Sequence, residues 1–281
     1  MSDILNEDQI RSLKEKSRDI RVSVVEMLAE AKSGHTAGSL GMADIFAYLY
    51  FHALKHDPKD PAWEERDRLV LSNGHICPVL YSAMAHAGYF PTEELLTLRK
   101  FGSRLQGHPH REFLPMAETS SGPLGEGLSQ AVGMALAFRM DKKENRVYCL
   151  MGDGELDEGQ VWEAAMQAGK EKLAKITALV DRNNIQIDGT TDQVMPLEPL
   201  KTKWESFGWH TIEIDGHNLQ AIHSAVQEAH EISDKPSVII ARTVSGKGVP
   251  EIEGSYRWHG KAPDKEEAER FVSAIKMQNR E

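Results

Sequence analysis

The stretch from residue 146 to residue 189 constrains the fold of this chain more than any other. Val147–Met151 is a short apolar run typical of a buried strand, and Gly152-Asp153-Gly154 ends it. Residues 160–173 then place apolar side chains on one face of a predicted helix, and a second apolar run follows at Ile176–Val180. Strand, helix and strand in this order form a βαβ unit, whose right-handed crossover makes the two strands parallel.

Asp153 and Asn183 both fall at the predicted carboxyl end of a strand, where such sheets bind their ligands. Gly152 and Gly154 leave room for a ligand to approach the backbone, and the amides that open the helix would face an anion. A carboxylate, an amide oxygen and a backbone carbonyl suit Mg²⁺ or Ca²⁺ shared with phosphates. The alternative for the glycine motif alone is a simple turn, but Asn183-Asn184 after 28 intervening residues favours a metal-bound diphosphate.

The composition argues against some classes of binding partner and indicates the compartment of the protein. The chain has 281 residues, with 33 Lys and Arg against 43 Asp and Glu, and a net charge of -10, which argues against nucleic acid or an anionic membrane as a partner. Cys77 and Cys149 lie in apolar surroundings and indicate buried thiols in a reducing compartment. The start carries no apolar core of signal-peptide length, and no stretch could span a bilayer. We therefore expect a cytoplasmic protein.

Strands and helices alternate along the chain. This order predicts an α/β fold with a doubly wound, mostly parallel sheet flanked by helices. No linker divides it, so residues 1–281 are expected to form a single domain. Residues 101–127 are predicted to be irregular, which in a compact domain usually indicates function. Further strands are expected at residues 68–71, 209–214 and 237–241, and further helices at 6–31, 42–54, 78–87, 92–100, 128–140, 200–207, 218–232 and from 264 onwards.

Four histidines stand beside a glycine in predicted loops: His35, His75, His108 and His259. Each alone could be a surface or structural residue. Because the loops after parallel strands converge on one edge of the sheet, together they favour a substrate site. Neutral imidazoles exchange protons near pH 7 and hydrogen-bond to hydroxyl groups. The other eight histidines are expected on solvated faces; among them are His52, His56, His223 and His230.

The spacing of GDG, 28 residues and NN resembles the thiamine diphosphate motif, and GDGELDEGQVWEA resembles the transketolase family. The segments GHTAGSLGMAD, SNGH, GHP, SSGPLGEG and RWHGKAP are also similar to family segments, in family order, across most of the chain. A dinucleotide-binding fingerprint fits less well, because its third glycine is displaced to Gly159 and Arg182 stands where a ribose-binding acid would be sought.

The resemblance implies a thiamine diphosphate-binding fold, with this chain as its diphosphate-binding domain. Asp153, Asn183 and the backbone oxygen of Ile185 would hold Mg²⁺, or Ca²⁺ or Mn²⁺ in its place. Glu158 would lie between the cofactor-binding halves and relay protons toward the partner's site. The histidines His35, His75, His108 and His259 would line the sugar and diphosphate region and, with Glu158, form the catalytic set. The implied cofactor contacts are His75, Gly122, Leu124, Gly154, Glu158, Asn183, Ile187 and His259.

The activity implied by the resemblance is the transfer of a two-carbon ketol unit from a ketose or ketose phosphate to an aldose or aldose phosphate. The pentose phosphates of the pentose phosphate pathway are the default substrates, and a more specialised ketose stays open. Family members also carry pyrimidine-binding and C-terminal domains, which are expected to be absent from this chain. A separate pyrimidine-binding chain would then complete the enzyme, in a heterotetramer of two chains of each kind.

Three other functions compete with this one. The alpha subunit of a 2-oxo acid dehydrogenase would share the metal motif, but its acyl chemistry has no evident need for this set of histidines. A relic that binds the cofactor without turnover is disfavoured by the intact Asp153, Glu158 and Asn183. A plain nucleotide-binding module would be stabilised by NAD and not by thiamine diphosphate with Mg²⁺.

Overall fold

The computed structural model describes residues 4–277. Five parallel strands form the central sheet, and two short antiparallel strands form a separate hairpin. The strands are β1 (Arg68–Leu71), β2 (Val147–Gly152), β3 (Ile176–Arg182), β4 (Ile185–Gln186), β5 (Gly189–Thr190), β6 (His210–Asp215) and β7 (Ser237–Arg242). The order in the sheet is β1-β2-β3-β7-β6, so β2 and β3 lie next to each other near its middle.

Helices follow or precede every strand of the sheet. Short 3-10 turns occupy Gly74–Ile76, Thr92–Thr97, Gly154–Asp157 and Tyr256–Trp258, and a π-helical turn occupies Leu49–Ala53. The α-helices are α1 (Glu7–Ala31), α2 (Thr36–Gly41), α3 (Ala43–Tyr48), α4 (Cys77–His86), α5 (Glu126–Met140), α6 (Gly159–Lys170), α7 (Thr191–Val194), α8 (Leu200–Ser206), α9 (Leu219–Glu231) and α10 (Lys265–Met277).

The inner strands β2, β3 and β7 are apolar on both faces because helices cover both sides of the sheet, whereas the edge strand β6 carries exposed residues among buried and partly buried ones. In β2, Tyr148 and Leu150 point into a core shared with α1, α3, α4 and α9. Val147, Cys149 and Met151 point into the opposite core, shared with α5, α6 and α8. A parallel strand buried in this way reads as a continuous apolar run, which is how these strands appear in the sequence. The predicted α/β fold with a parallel sheet flanked by helices is confirmed.

Local capping signals place the helix ends where the sequence predicts them. The side chain of Asn6 accepts from the backbone N–H of Gln9, whose side chain accepts from Asn6 N–H, so a capping box opens α1. Asn218 caps α9 by accepting from Gln220 and Ala221 N–H. The Asp264 carboxylate accepts from the N–H of Glu267 at 2.8 Å at the start of α10.

Two predicted helices differ from the structure. The helix expected at 92–100 is only the 3-10 turn Thr92–Thr97, since Leu95 alone in it is buried and Arg99 adopts a left-handed φ of 60°. The helix expected at 42–54 divides into α3 and the π-helical turn, in which Leu54 N–H reaches back five residues to Leu49 O at 2.8 Å.

The connection between residues 98 and 125 contains no helix or strand, as predicted, yet it is firmly packed. Leu105 and Leu114 are fully buried in it. Ser121 N–H donates to Pro109 O at 3.0 Å, which closes the part of this connection that follows His108. The sequence forms an ordered loop here because a few apolar anchors and local hydrogen bonds replace regular structure.

Cys77 and Cys149 are free and buried, which confirms the prediction of buried thiols. Within residues 4–277, no helix combines the length and the apolar character needed to cross a membrane.

Candidate cofactor and substrate site

The tips of β2 and β3 form the centre of the site. Gly152 pairs with Asp181 in the sheet, and Asp153 N–H donates to Asp181 O at 3.1 Å. The Asp153 carboxylate is 1% exposed. Its Oδ1 accepts from Gly154 N–H at 2.8 Å and its Oδ2 from Asn184 N–H at 2.6 Å. The predicted carboxylate ligand is therefore tied to the loop that carries the predicted amide ligand.

Asn183 is held in one orientation by its neighbours. Its Nδ2 donates to Asp181 Oδ2 at 2.8 Å, and its Oδ1 accepts from Ile185 N–H at 2.9 Å. Ile185 opens β4 directly after the strand tip. The structure thus brings Asp153, Asn183 and Ile185 together in one small region.

These donors are one carboxylate, one amide and one backbone carbonyl, which are the hard oxygen ligands that Mg²⁺ and Ca²⁺ accept. Among the described residues there is no group of three or more His, Cys, Asp or Glu side chains that could hold a metal. A cation here would therefore depend on neutral oxygens and on the anionic group of a ligand.

Arg182 is a part of this site that the sequence analysis did not assign to it. Its guanidinium is buried, with Nη1 3.0 Å from Asp153 Oδ2 and 2.7 Å from Thr191 Oγ1. Its Nη2 lies 3.3 Å from Glu198 Oε1. Arg182 therefore links the strand tips to the segment that follows the β4–β5 hairpin. Its position directly after Asp181 in a buried strand was the only signal available in the sequence.

The acidic groups of the site are short of positive charge. Burial raises the pKa of Asp153 to about 6, although Arg182 and the amides of Asn184 and Gly154 act in the opposite direction. Burial and the nearby Asp153 raise the pKa of Asp181 to about 7, although the hydrogen bonds from Thr243 and Asn183 act in the opposite direction. Two buried carboxylates beside one guanidinium carry surplus acidic oxygen, so the residues present fit a divalent cation.

Two glycines shape the space beside the strand tips. A methyl group added at Gly122 would meet no other atom within 4 Å, so this backbone borders open space. One added at Gly154 would come within 3.0 Å of Gln186 in the hairpin. The half-buried Leu124 accepts from Gln160 Nε2 at 2.7 Å through its carbonyl, and Ile187 is 58% exposed at the tip of the hairpin.

Glu158 lies directly before α6, and its side chain makes no capping hydrogen bond to that helix. The residue is exposed, so it is open to contact with a second chain.

The four predicted histidines meet in one cluster. The ring centroids of His35, His75 and His259 are 4.9, 5.2 and 5.1 Å apart in the three pairings. His108 lies beside them. Its Cδ2 is 3.4 Å from the position that a Cβ would occupy at Gly74, the residue directly before His75. They come from the start of α2, from the turn after β1, from the irregular connection and from the loop before α10. Four segments distant in sequence thus converge on one edge of the sheet, as predicted.

These imidazoles are neutral at pH 7. Burial, together with His259, Arg99 and His108, lowers the pKa of His35 to about 4. Burial is also the largest cause of the lowered pKa values of His75, His108 and His259. The cluster can therefore donate and accept hydrogen bonds to sugar hydroxyls, but His35 does not titrate near neutral pH in this state.

Several buried polar atoms near the cluster have no hydrogen-bond partner in the described part of the chain. They are His35 Nδ1, Asn73 Oδ1 and Ser121 Oγ. A Cβ built at Gly74 would fall 2.0 Å from Ser121 Oγ, which places this hydroxyl beside the turn that carries His75. Because buried polar atoms are normally paired, such atoms together indicate a place where a ligand completes the hydrogen bonds.

The prediction that the remaining histidines lie on solvated faces is wrong for several of them. His217 has a side chain only 13% exposed and its Nδ1 lies 2.7 Å from Asp44 Oδ2, and three others pair with tyrosines. His223 is buried, with Nδ1 3.1 Å from Tyr48 Oη. His230 Nε2 lies 2.8 Å from Tyr148 Oη, and His56 Nδ1 lies 3.0 Å from Tyr89 Oη. Each of these three histidines pairs with the hydroxyl of a tyrosine from another segment, because a buried hydroxyl needs a partner. No local sequence pattern shows these long-range pairs.

Comparison with known proteins identifies the family. The family described as "Transketolase, thiamine diphosphate binding domain" matches residues 13–280. The chain belongs to the transketolase family. Among its curated relatives, the 6-deoxy-6-sulfo-D-fructose transketolase subunit SqwG of Clostridium sp. (strain MSTE9) is 47% identical over 91% of this chain and 92% of the relative. An apulose-4-phosphate transketolase subunit from Phocaeicola vulgatus is 39% identical over 95% of each chain.

Solved transketolases share the fold. The transketolase from Campylobacter jejuni superimposes with a TM-score of 0.90 at 36% identity, over 97% of this chain and 43% of that chain. The resemblance seen in the motifs is confirmed, and so is the thiamine diphosphate-binding domain. Within the transketolase family, relatives therefore exist both as short subunits and as chains more than twice as long.

Proposed function

We propose that this chain is the diphosphate- and metal-binding subunit of a two-chain transketolase, which transfers a two-carbon ketol unit from a ketose to an aldose. The observation that carries the proposal is the meeting of two features at one edge of the sheet. One is the pair of strand tips with Asp153 and Asn183, and the other is the cluster of four neutral histidines.

The strand tips would hold the cofactor's anionic end. Asp153, Asn183 and the backbone oxygen of Ile185 would bind Mg²⁺, or Ca²⁺ or Mn²⁺, shared with the diphosphate. Gly122 leaves the backbone open beside it, Gly154 has no side chain where the backbone passes close to Gln186, and Leu124 and Ile187 would supply apolar contacts for its rings. When bound, thiamine diphosphate supplies the electron sink for breaking the carbon–carbon bond of a ketose.

The histidine cluster would handle the sugar. His35 and His108 would hydrogen-bond to hydroxyl groups, and His75 and His259 would serve both the sugar and the diphosphate. Neutral imidazoles suit this task because each can donate one hydrogen bond and accept another without bringing a charge into a buried site. Glu158, exposed before α6, would meet the partner chain and relay protons between the cofactor-binding halves.

A separate chain would supply the pyrimidine-binding half. Two relatives that this chain matches over 92% and 95% of their lengths are named as transketolase subunits, which supports a two-chain enzyme. We propose that residues 1–281 form one diphosphate-binding domain and that the assembly is a heterotetramer with two chains of each kind. A cytoplasmic location is also proposed, in keeping with the free thiols of Cys77 and Cys149.

The ketose would carry an anionic group at the end distant from its carbonyl. One of the two short relatives is named for 6-deoxy-6-sulfo-D-fructose and the other for apulose-4-phosphate, a sulfonate and a phosphate. Because those two relatives differ in sugar while sharing this domain, the partner chain would determine which anionic group is bound. Pentose phosphates of the pentose phosphate pathway are the reference substrates against which these two should be compared.

The test is reconstitution. The purified chain is mixed with thiamine diphosphate, Mg²⁺, a ketose and an aldose, with and without the complementary pyrimidine-binding chain, and product formation is followed. Turnover should require both chains, and the light-scattering mass of the complex should equal two copies of each. Turnover by this chain alone would overturn the two-chain proposal. Turnover of a 2-oxo acid in place of the ketose would establish the dehydrogenase alternative.

A further inference from the structure

We infer that Glu155 is a positioning residue that fixes the spacing of three segments around the cofactor, an inference that rests on the function proposed above. Glu155 lies in the turn between β2 and α6, and its side chain is 2% exposed. Its Oε2 accepts from Gly152 N–H at 3.0 Å, and its Oε1 accepts from Gly125 N–H at 2.8 Å. The same Oε1 accepts from the hydroxyl of Ser72.

Each of these donors belongs to a different part of the site. Gly152 ends β2 directly before Asp153. Ser72 follows β1 and stands three residues before His75. Gly125 precedes α5 and follows Leu124, a predicted cofactor contact. One carboxylate therefore connects the predicted metal ligand, the histidine cluster and the loop against the cofactor's rings.

A second hydrogen bond extends the connection. Ser72 Oγ, while donating to Glu155, accepts from Gly127 N–H at 3.0 Å. The loop of residues 121–127 is thus held at Gly125 directly and at Gly127 through Ser72. On its other side, Gln160 holds the carbonyl of Leu124. The loop is fixed by polar contacts at three successive points, and two of them depend on Glu155.

The chemistry of the group suits this role. An ionised carboxylate only accepts hydrogen bonds, and all three neighbours are donors. Hydrogen bonds to a charged acceptor are shorter and stronger than those between neutral groups. The hydrogen-bond partners of Glu155 in the described residues are all uncharged, so this carboxylate is not half of an ion pair. Burial raises the pKa of Glu155, and the hydrogen bonds from Ser72, Gly125 and Gly152 oppose this by stabilising the charged form.

The packing leaves little freedom for these segments to shift independently. A Cβ built at Gly127 would fall 2.3 Å from the Cβ of Ser72, so the start of α5 and the tip of β1 are in close contact. The carboxylate of Glu155 therefore sets the distance between the strand tips and the loop that carries Gly122 and Leu124. Since it acts through those residues and not on the reacting atoms, its loss should weaken cofactor binding more than it slows the chemical step.

Glu155→Gln tests this role with almost no change in volume. An amide has one acceptor oxygen and one NH₂ group, and whichever way it turns, its NH₂ faces Gly152 N–H or Gly125 N–H. At least one of the two backbone contacts is lost. The matched control is Asn145→Ala, which removes two hydrogen bonds made by a buried side chain just before the amino end of the same strand, β2.

The experiment uses the enzyme assembled with its pyrimidine-binding chain. For Glu155→Gln we expect the thiamine diphosphate concentration for half-maximal activity to rise about tenfold, with kcat at saturating cofactor within about twofold of the wild type. Hydrogen exchange at the amides of Gly125 and Gly127 should become faster. Asn145→Ala should lower the unfolding midpoint and change neither cofactor affinity nor exchange at these amides.

Unchanged cofactor affinity in Glu155→Gln, or a loss confined to kcat, would overturn the inference. If Glu155→Gln does not assemble, Ser72→Ala takes its place, because it removes the link from Glu155 to Gly127 and keeps both backbone contacts of Glu155. About a threefold loss of cofactor affinity is expected, and no loss would overturn the inference. If the wild-type assembly does not bind thiamine diphosphate, the proposed function fails, while the exchange rates at Gly125 and Gly127 still decide the role of Glu155.

Discussion

The amino and carboxyl ends of the sheet both bury polar groups, but they satisfy them differently. Next to the amino end of β2, Asn145 Nδ2 donates to the carbonyls of Glu64 and Arg66 at 2.8 and 2.7 Å. Nearby, the carboxylate of Asp67 accepts from the N–H groups of Lys55 and Arg146. Polar groups at this end are used to join one segment of the chain to another.

At the carboxyl end, several polar atoms remain without a partner inside the described ranges. Asn73 Oδ1, Ser121 Oγ and His35 Nδ1 are of this kind. Ser237 Oγ at the start of β7 and Thr211 Oγ1 near the start of β6 are exceptions at the other end. The carboxylates of Asp153 and Asp181 are also short of positive charge. The comparison teaches that a ligand site can be located by its incomplete hydrogen bonding, even where its residues are as buried as a structural core.

Removing the carboxylate at the tip of β2 should have the largest effect. Asp153→Ala takes away the one acidic ligand proposed for the metal, so Mg²⁺-dependent binding of thiamine diphosphate in the assembled enzyme should fall by more than about 100-fold. Isothermal titration with and without Mg²⁺ measures it. Asn145→Ala is the control from the opposite end, and unchanged affinity in Asp153→Ala would remove the metal assignment.

Changes in the histidine cluster should separate sugar chemistry from cofactor binding. In His35→Ala and His108→Ala we expect kcat/KM for the ketose to fall by about 100-fold, because hydrogen bonds to the substrate and proton transfer are lost. Thiamine diphosphate affinity should stay within about twofold. Steady-state kinetics with a ketose and with a 2-oxo acid measure the loss of kcat/KM for each substrate class. An equal loss with both substrate classes would contradict a role specific to sugars.

A substitution at the amino end of the sheet should lower the stability of the fold and leave cofactor binding unchanged. Asn145→Ala leaves the carbonyls of Glu64 and Arg66 without their buried donor, so the free energy of unfolding should fall by about 2 kcal/mol. Denaturant unfolding measures this change. A loss of cofactor affinity in this variant, measured at a temperature where it is fully folded, would show that the two ends are coupled and would break the comparison.

The pH dependence of stability should be the mildest effect. The folded-state pKa of His35 is lowered to about 4, and that of His230, bonded to Tyr148, also to about 4. Each contribution is complete above the ordinary histidine pKa of about 6.5 and is lost as the pH falls from there toward about 4, since the unfolded chain then binds the extra protons. Unfolding between pH 7 and pH 4 should show a shallower slope in His35→Gln and in His230→Gln, and only His35→Gln should alter sugar kinetics.

Sequence patterns predicted those elements that depend on local or periodic signals. β1 spans residues 68–71 as expected, and Asn6, Asn218 and Asp264 cap their helices. β3 extends two residues beyond the predicted Val180, because its pairing with β7 continues to Arg182. The error at 92–100 has a different origin, since Leu95 is the one buried residue of the 3-10 turn found there, too little packing to support a longer helix.

The candidate site was predicted only in part, for a physical reason. Asp153, Asn183 and the four histidines stand beside glycines or strand ends, where the sequence marks a turn. Arg182 and Glu155 act through contacts with segments remote in sequence, and nothing local distinguishes a buried Arg or Glu from an exposed one. The tyrosine partners of His223 and His230 were missed for the same reason.

The two parts of the site are carried by different kinds of structure. β2 and β3 are bonded to neighbouring strands on both sides, so the strand tips proposed to bind the cation are held in place by the sheet. His108 and His259, in contrast, are carried by long irregular segments. Under the proposed function, changes in these segments or in the companion polypeptide would alter which sugar is accepted, while the anchoring of the vitamin-derived group would stay intact.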